Sequence, residues 1–355
     1  MRNTQTLLTP PALVKTSLAA SISLGMEQGR FARGCGCTCL NILLNYEEGC
    51  YANCGYCGLA AGRDKKGSFI RVRWPEYSLE SILEKVKEGR HPFKRVCVSM
   101  VTHPRAVDDA CAVIDSFASQ TGLPVSALLS PTVMDGTADM LRIKEAGADR
   151  AGIAIDAATP SLFDSLRGAG VGGPHTWERY FEALEEAVSV FGRYNAGVHL
   201  ITGLGETEKE MAAIIDDCHR RGALSHMFSF YPEPGSLLEN RERPSLGSYR
   251  RIQLARYLIN ESICGFRDFT FSDAGEIVDF GTDIAPLIEK GVPFMTSGCP
   301  GRDGVMACNR PFSNERPSEP IRNFHFMPED DDKKDIASQM FEDAEGREPP
   351  FFKRG

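Results

Sequence analysis

The sequence predicts an α/β fold in which helices cover a parallel sheet. Apolar runs of strand length recur at 95–101, 124–130, 150–156, 196–202 and 226–231, and helix-length amphipathic stretches separate them. The runs are apolar nearly throughout rather than alternating, as in strands buried on both faces. A chain of 355 residues is long enough for one barrel-sized domain with terminal extensions.

Taken in order, residues 12–26 are moderately apolar behind Pro10-Pro11 and are expected to form a helix started by Pro11, not a signal peptide. Gly34-Cys35-Gly36-Cys37-Thr38-Cys39 leads into 40–46, the expected first strand. Helices are expected at 105–119, 136–146, 159–166, 176–191, 206–220 and 246–260, so that strand and helix alternate six times. The domain reading is an N-terminal extension over 1–39, the α/β body over 40–275, a Cys- and Ser-bearing segment over 276–327, and an acidic tail over 328–355. Glu329-Asp330-Asp331-Asp332 and few apolar positions make that tail an expected mobile terminus.

Charge excludes some functions. The balance of 40 basic against 48 acidic residues gives a net charge of −8 without a basic stripe, which argues against a nucleic-acid partner. No run of about 20 apolar residues is long enough to span a membrane. Six of the twelve cysteines crowd between Cys35 and Cys57 at metal-ligand spacings, which points to a reducing cytoplasm rather than to disulfides.

The chemistry concentrates in Cys50-Tyr51-Ala52-Asn53-Cys54-Gly55-Tyr56-Cys57. The C-x3-C-x2-C spacing can place three thiolates on three corners of one iron–sulfur cube, leaving the fourth iron open to a small chelating ligand. Tyr56 stands where an aromatic ring can lie against that ligand. Zinc is the alternative metal, but it wants four ligands and this loop supplies three. In an extended segment Cys35, Cys37 and Cys39 would share one face about 7 Å apart. With Cys299 and Cys308 they offer thiols for a second cluster, whereas Cys97, Cys111, Cys218 and Cys264 lie in strand or helix patterns and read as inert buried thiols.

Ligand chemistry in parallel barrels gathers at the C-terminal ends of the strands. Asp156 closes one apolar run there, as a ribose acceptor or a helix cap. Gly203-Leu204-Gly205-Glu206 follows another, with glycines that allow close backbone approach and a carboxylate that is either a ligand or a first-turn charge. His199, inside an apolar strand, reads as a core or cavity histidine, and His103 as a residue able to reach substrate.

The cysteine loop, with its aromatic before the third cysteine, resembles the radical S-adenosylmethionine (SAM) superfamily. Phe93-Lys94-Arg95-Val96-Cys97-Val98, Gly152 to Thr159, Gly173-Pro174-His175-Thr176-Trp177, 249–258 and Thr296-Ser297-Gly298-Cys299-Pro300 narrow the likeness to the biotin-synthase-related group. That group includes one component of the two-protein lipoyl synthases. The resemblance covers about residues 15–320 and implies a partial (β/α)6 TIM-like barrel. It implies a [4Fe-4S] cluster with an open iron on Cys50, Cys54 and Cys57, and SAM contacted by Tyr56, Asp156, Gly203, Gly205 and Glu206. An auxiliary [4Fe-4S] cluster would draw on Cys35, Cys37, Cys39, Cys299 and Cys308.

The chain departs from the pattern in two places. Val98-Ser99-Met100-Val101-Thr102 stands where a Gly-Gly-Glu is common, and the interval 302–307 between Cys299 and Cys308 is long. The activity implied is sulfur insertion into an octanoyl chain. The implied partners are an octanoylated carrier protein or lipoyl domain, a second radical SAM lipoyl synthase component and an electron donor such as ferredoxin. The alternatives are a radical SAM enzyme acting on a small molecule by C–C or methylthio chemistry, and a non-catalytic Fe–S scaffold subunit.

Overall fold

The computed structural model describes residues 9–61, 63, 68–69, 71–313, 315 and 319–341. Strand β1 (Leu13–Thr16) and helix α1 (Leu18–Ser23) come first. This corrects the single helix expected over 12–26. Ser17 caps α1 by accepting the Ala20 N–H, so the helix starts after β1, whose Val14, Lys15 and Thr16 pair antiparallel with β2 (Cys39–Leu44) instead. The short β3 (Ser68–Phe69) and β4 (Val72–Arg73) form their own ribbon, and β5 (Glu76–Ser78) runs into α2 (Leu79–Lys87).

The alternation then proceeds as expected. It runs β6 (Arg95–Ser99), α3 (Ala106–Thr121), β7 (Val125–Leu129), α4 (Gly136–Glu145), β8 (Ala148–Asp156), α5 (Pro160–Arg167) and α6 (Trp177–Phe191). It continues through β9 (Ala196–Thr202), α7 (Glu208–Arg221), β10 (Ala223–Ser229) and α8 (Leu246–Asn260). The small β11 (Thr270–Phe271) and β12 (Ile277–Asp279), α9 (Ala285–Lys290), α10 (Arg310–Ser313) and α11 (Asp330–Phe341) follow. Helix α11 corrects the expectation of a mobile tail for its own residues: Ile336, Ala337 and Met340 are buried, and the helix packs on α8. The rest of the acidic tail, 342–355, lies outside the described residues.

The main sheet runs β10-β9-β8-β7-β6-β2-β1-β5. β2 and β6 to β10 are parallel, and β1 and β5 extend the β2 edge antiparallel. This is a partial TIM-like barrel of six parallel strands. One face, with Ile42, Val98, Val125, Ile153 and Val198, meets the helices in the core. The other faces a lumen, because paired residues of parallel strands point the same way. One lumen row is Leu43, Ser99, Leu128, Gly152, Gly197 and Leu224 across all six strands.

Strands β2 and β10 do not pair, so the barrel is open on one side. The C-terminal segment fills that side. Arg95 Nε donates to Pro300 O at 2.6 Å, Thr38 Oγ1 to Ala307 O at 2.7 Å, and Arg310 Nη1 to Ser99 Oγ at 2.9 Å. Helix α8 anchors the strap from behind. Arg250 donates to the carbonyls of Ile321 and Arg322, while Arg251 pairs with the buried Glu208 of α7 at 2.7 Å and reaches Met340 O.

Glu208 also accepts the Ile277 N–H, and both it and Arg251 are about 5 % exposed. Replacing Glu208 with Ala should therefore strand a buried guanidinium and cost about 3–5 kcal/mol in urea unfolding. A second prediction concerns His226, whose ring lies where a Cβ on Gly197 would come within 2.8 Å. Burial pushes His226 down to about 3, with Arg256 and Arg150 adding repulsion. Below pH 6.5 the unfolded chain takes up a proton that native His226 refuses, so this residue's contribution to stability is lost as pH falls from 6.5 toward 3. His226→Gln should accordingly lose about 1.6 kcal/mol less than the parent between pH 6.5 and 5.0, read from urea midpoints.

Candidate active site

The three cysteines of the C-x3-C-x2-C loop line one cavity of about 200 Å³ at the C-terminal ends of the strands. Backbone bonds pin the loop there: Tyr51 N–H to Thr102 O at 2.8 Å, Gly55 N–H to Leu166 O at 2.7 Å, and Leu238 N–H to Gly55 O at 3.1 Å. Three separate connections of the sheet thus hold it. All three thiols are free. Burial pushes the Cys54 thiol up and the Arg167 guanidinium beside it pulls it back; burial also raises Cys57, whose sulfur accepts the Leu59 N–H at 3.4 Å.

This donor set fits an iron–sulfur cluster. Three thiols of one loop on one cavity can each take a different iron of a cubane, whereas a structural zinc wants a fourth protein ligand.

Tyr56 and Asp156 meet in the same cavity, the tyrosine O–H donating to the Asp156 carboxylate at 2.5 Å. Asp156 holds a left-handed backbone at φ 64, a conformation uncommon for a residue with a Cβ and one that marks functional positions. Arg167, buried in α5, approaches the same carboxylate at 3.5 Å and donates to the carbonyls of Ala154 and Ile155. Thr159 caps α5, so the Asp156 side chain is free of that duty.

Gly203, Gly205 and Glu206 stand outside the cavity lining. The Glu206 carboxylate accepts the N–H groups of Gly203, Leu204 and Gly205 at 2.6, 3.0 and 3.0 Å and so closes its own loop. Thr207, not Glu206, begins the helix, in a capping box with Glu210. His103 is 3 % exposed and stacks on Tyr46 at 3.7 Å, away from the lining. His199 is a cavity residue, held neutral by burial.

A second cavity of about 330 Å³ occupies the opposite half of the lumen, lined by Cys97, Cys299 and Cys308 among others. Cys39 joins these thiols: it packs with Cys97 and Cys308, and its S–H donates to Cys308. That bond, with Arg310 and Arg95 nearby, holds Cys308 below the usual thiol range, while burial raises Cys97 and Cys299. The long interval 302–307 folds back on itself. Gly301 N–H donates to Val305 O, and the N–H groups of Ala307 and Cys308 both reach Cys299 O, which sets the two cysteines side by side. Gly298 must lack a Cβ, because one would lie 2.5 Å from that of Cys308.

Two readings of the thiols are corrected here. Cys35 and Cys37 precede β2 and pair with no strand, so the three thiols do not share a strand face. Cys37 sits in the main core with its sulfur on Cys39 O at 3.1 Å, and Cys35 lies near Arg33. Cys97, read as inert, stands among the grouped thiols. Its only sequence signal was period 2: Cys97 pairs with Asn41, two residues on from Cys39, and so faces the lumen. Cys111, Cys218 and Cys264 remain apart from the group.

Comparison with known proteins places this geometry. No curated protein matches the chain. Methylornithine synthase (PylB) superposes with a TM-score of 0.50 at 17% identity, over 68% of this chain and 66% of that one, just under two thirds of its length. The radical SAM methyltransferase TsrM from Kitasatospora setae, with cobalamin and a [4Fe-4S] cluster bound, gives 0.39 at 14% identity over 56% of this chain and 38% of that one. At 17% identity the likeness to methylornithine synthase is one of fold. Residues 44–218 match the radical SAM superfamily, which uses a [4Fe-4S] cluster and SAM. The chain therefore carries a radical SAM domain, and its cysteine loop opens it.

Proposed function

We propose that this chain is a component of a two-protein lipoyl synthase, inserting sulfur into an unactivated C–H bond of an octanoyl chain borne on a carrier protein or lipoyl domain. The observation that carries this reading is the gathering of Cys39, Cys97, Cys299 and Cys308 beneath the cavity that holds the C-x3-C-x2-C thiols. A hydrogen-abstracting enzyme needs only the upper three. Four further thiols at the other end of the same lumen are what a sulfur source requires.

When bound in the upper cavity, a cluster with SAM would supply the primary carbon radical needed at an unactivated C–H bond, and a cluster on Cys39, Cys97, Cys299 and Cys308 would supply sulfide and an iron to take up the remaining electron. The protein's part is to position and enclose. Cys50, Cys54 and Cys57 hold the first cluster, with Arg167 offsetting thiolate charge at Cys54. The Asp156 carboxylate, with Tyr56 on one oxygen, is placed to accept ribose hydroxyls. Met100, Val101, Leu129, Ile201 and Phe230 give an aliphatic chain an apolar wall and keep water from a reactive carbon. Gly203, Gly205 and Glu206 follow β9 in a turn that the Glu206 carboxylate closes. A second lipoyl synthase component, an electron donor such as ferredoxin and a cytoplasmic location complete the reading. No described helix is long and apolar enough to cross a membrane.

Two variants of anaerobically reconstituted protein test it. Cys54→Ala should lose 5′-deoxyadenosine formation while the barrel stays folded, because its loop hangs from the strand ends. Cys97→Ala should keep that formation, lose about half of the iron, four atoms per cluster, and transfer no sulfur to an octanoyl carrier protein. Iron and acid-labile sulfide equal to the parent's in Cys97→Ala would remove the sulfur source and the proposal with it.

A further inference from the structure

The lower cavity reaches the surface without passing through the upper one. Ser126, Ala196 and Leu224, which line it, lie at or beside the first residues of β7, β9 and β10, at the strand ends opposite the C-x3-C-x2-C loop. Other lining residues there meet solvent: Tyr194 is 37 % exposed, Gly304 is exposed, and Arg150 and Asn195 are half-buried. A Cβ on Gly304 would find no atom within 4 Å. Arg150 stands at this opening, its Nη1 donating to Tyr194 O at 2.8 Å.

The grouped thiols come from β2, β6 and the strap, and β8, β9 and β10 contribute none. The half of the cavity lined by those three strands, with Ala151, Gly152, Gly197 and Leu224, is therefore left as a passage from the opening to the thiols. It is narrow-sided and mostly apolar, which suits a small, weakly hydrated molecule. One polar atom on it lacks a partner: His226 is 8 % exposed, and its Nδ1 has no hydrogen bond among the described residues.

The chemistry proposed above calls for a second way in. Each insertion removes one sulfide from the lower site, and that sulfide must be replaced. The S–H bond of hydrogen sulfide is weaker than an aliphatic C–H bond, so hydrogen sulfide arriving through the upper cavity would surrender its hydrogen atom to the carbon radical and waste the cycle. We infer that hydrogen sulfide enters the barrel at its lower end, between Arg150, Tyr194 and Gly304, and restores at Cys39, Cys97, Cys299 and Cys308 the sulfide that each insertion takes. This rests on the lipoyl synthase reading and adds to it a second substrate and its route. In the refilling step hydrogen sulfide releases two protons to water and its S2− binds the irons left without a bridge; no electron is transferred. The His226 Nδ1 accepts an S–H along the way, and Arg150 draws in hydrosulfide, the ionised form.

The test uses the full chain, reconstituted anaerobically with natural sulfur and given octanoyl carrier protein, SAM and reductant for one turnover. Sulfide labelled with sulfur-34 is then added with ferrous iron, and the label is followed by mass spectrometry in acid-labile sulfide and in the product of later turnovers. In the parent the first product should be unlabelled and later ones labelled. Leu224→Trp and Asn195→Trp, which narrow the passage away from every thiol, should give the parent's first-turnover yield and then regain labelled acid-labile sulfide several-fold more slowly. Arg150→Glu should slow refilling by about ten-fold at pH 8, where hydrosulfide is the main form, and far less at pH 6. Iron content and thermal midpoint identify any variant that fails to fold, and the others still decide the question. If folded variants refill at the parent's rate, or added sulfide never refills the parent, the lower entry is wrong while the lipoyl synthase reading survives. No sulfur in the parent's first product would overturn both together.

Discussion

The missing bond between β2 and β10 governs the rest of the structure. A six-stranded parallel sheet curves but does not close: β1 pairs with β2 on one side, while β10 is left as an edge beside an open lumen. Residues 296–313 cover that side as a strap, satisfied through side chains as much as through backbone: Arg95 on Pro300 O, Thr38 on Ala307 O, Asn309 on Gly36 O. Because the strap lies over the lumen, its cysteines arrive inside the barrel. The same device that seals the open side thus delivers Cys299 and Cys308 to Cys39 and Cys97.

Holding the strap costs buried charge. Arg250 and Arg256 of α8 are almost wholly enclosed, and burial lowers both toward about 10. Each is compensated by carbonyls of the segment it restrains: Arg250 by those of Ile321 and Arg322 at 2.6 Å, Arg256 by Pro293 O at 2.8 Å. A guanidinium suits this work, since its fixed fork of donors can serve several carbonyls that lack partners in an irregular chain. Arg251 extends the arrangement to α11 and, through Glu208, to α7 and β12, so one helix ties together four separate parts of the chain.

Inside the barrel, strand register does the sorting. Period 2 sends every second residue to the lumen, and parallel pairing lines those residues up in rows that differ by height. Thiols and polar groups fall on the lower rows, bulky apolar side chains in the middle, and Asp156 with the C-x3-C-x2-C loop at the top. Gly152 and Gly197 on facing positions keep space where the His199 and His226 rings project. Two chambers with different chemistry therefore come from one sheet.

The sequence by itself determined whatever depends on near neighbours along the chain. Strand and helix alternation, the ligand spacing of Cys50, Cys54 and Cys57, and the location of Asp156 at a strand end are local patterns, and short-range geometry leaves them little freedom. The N-terminal helix is shorter than expected because Val14–Thr16 pairs with β2, and residues 330–341 of the tail are ordered because α8 offers a partner for Ile336 and Met340. Only tertiary structure could decide which thiols meet. Cys39, Cys97, Cys299 and Cys308 come from two strands and a distant strap, and no spacing links them. Cys35 and Cys37, adjacent in sequence, are excluded because the strand that would have aligned them begins at Cys39. Leu128, His199 and Phe228, which line both chambers, likewise come from three different strands and are ordinary strand residues until the sheet curves.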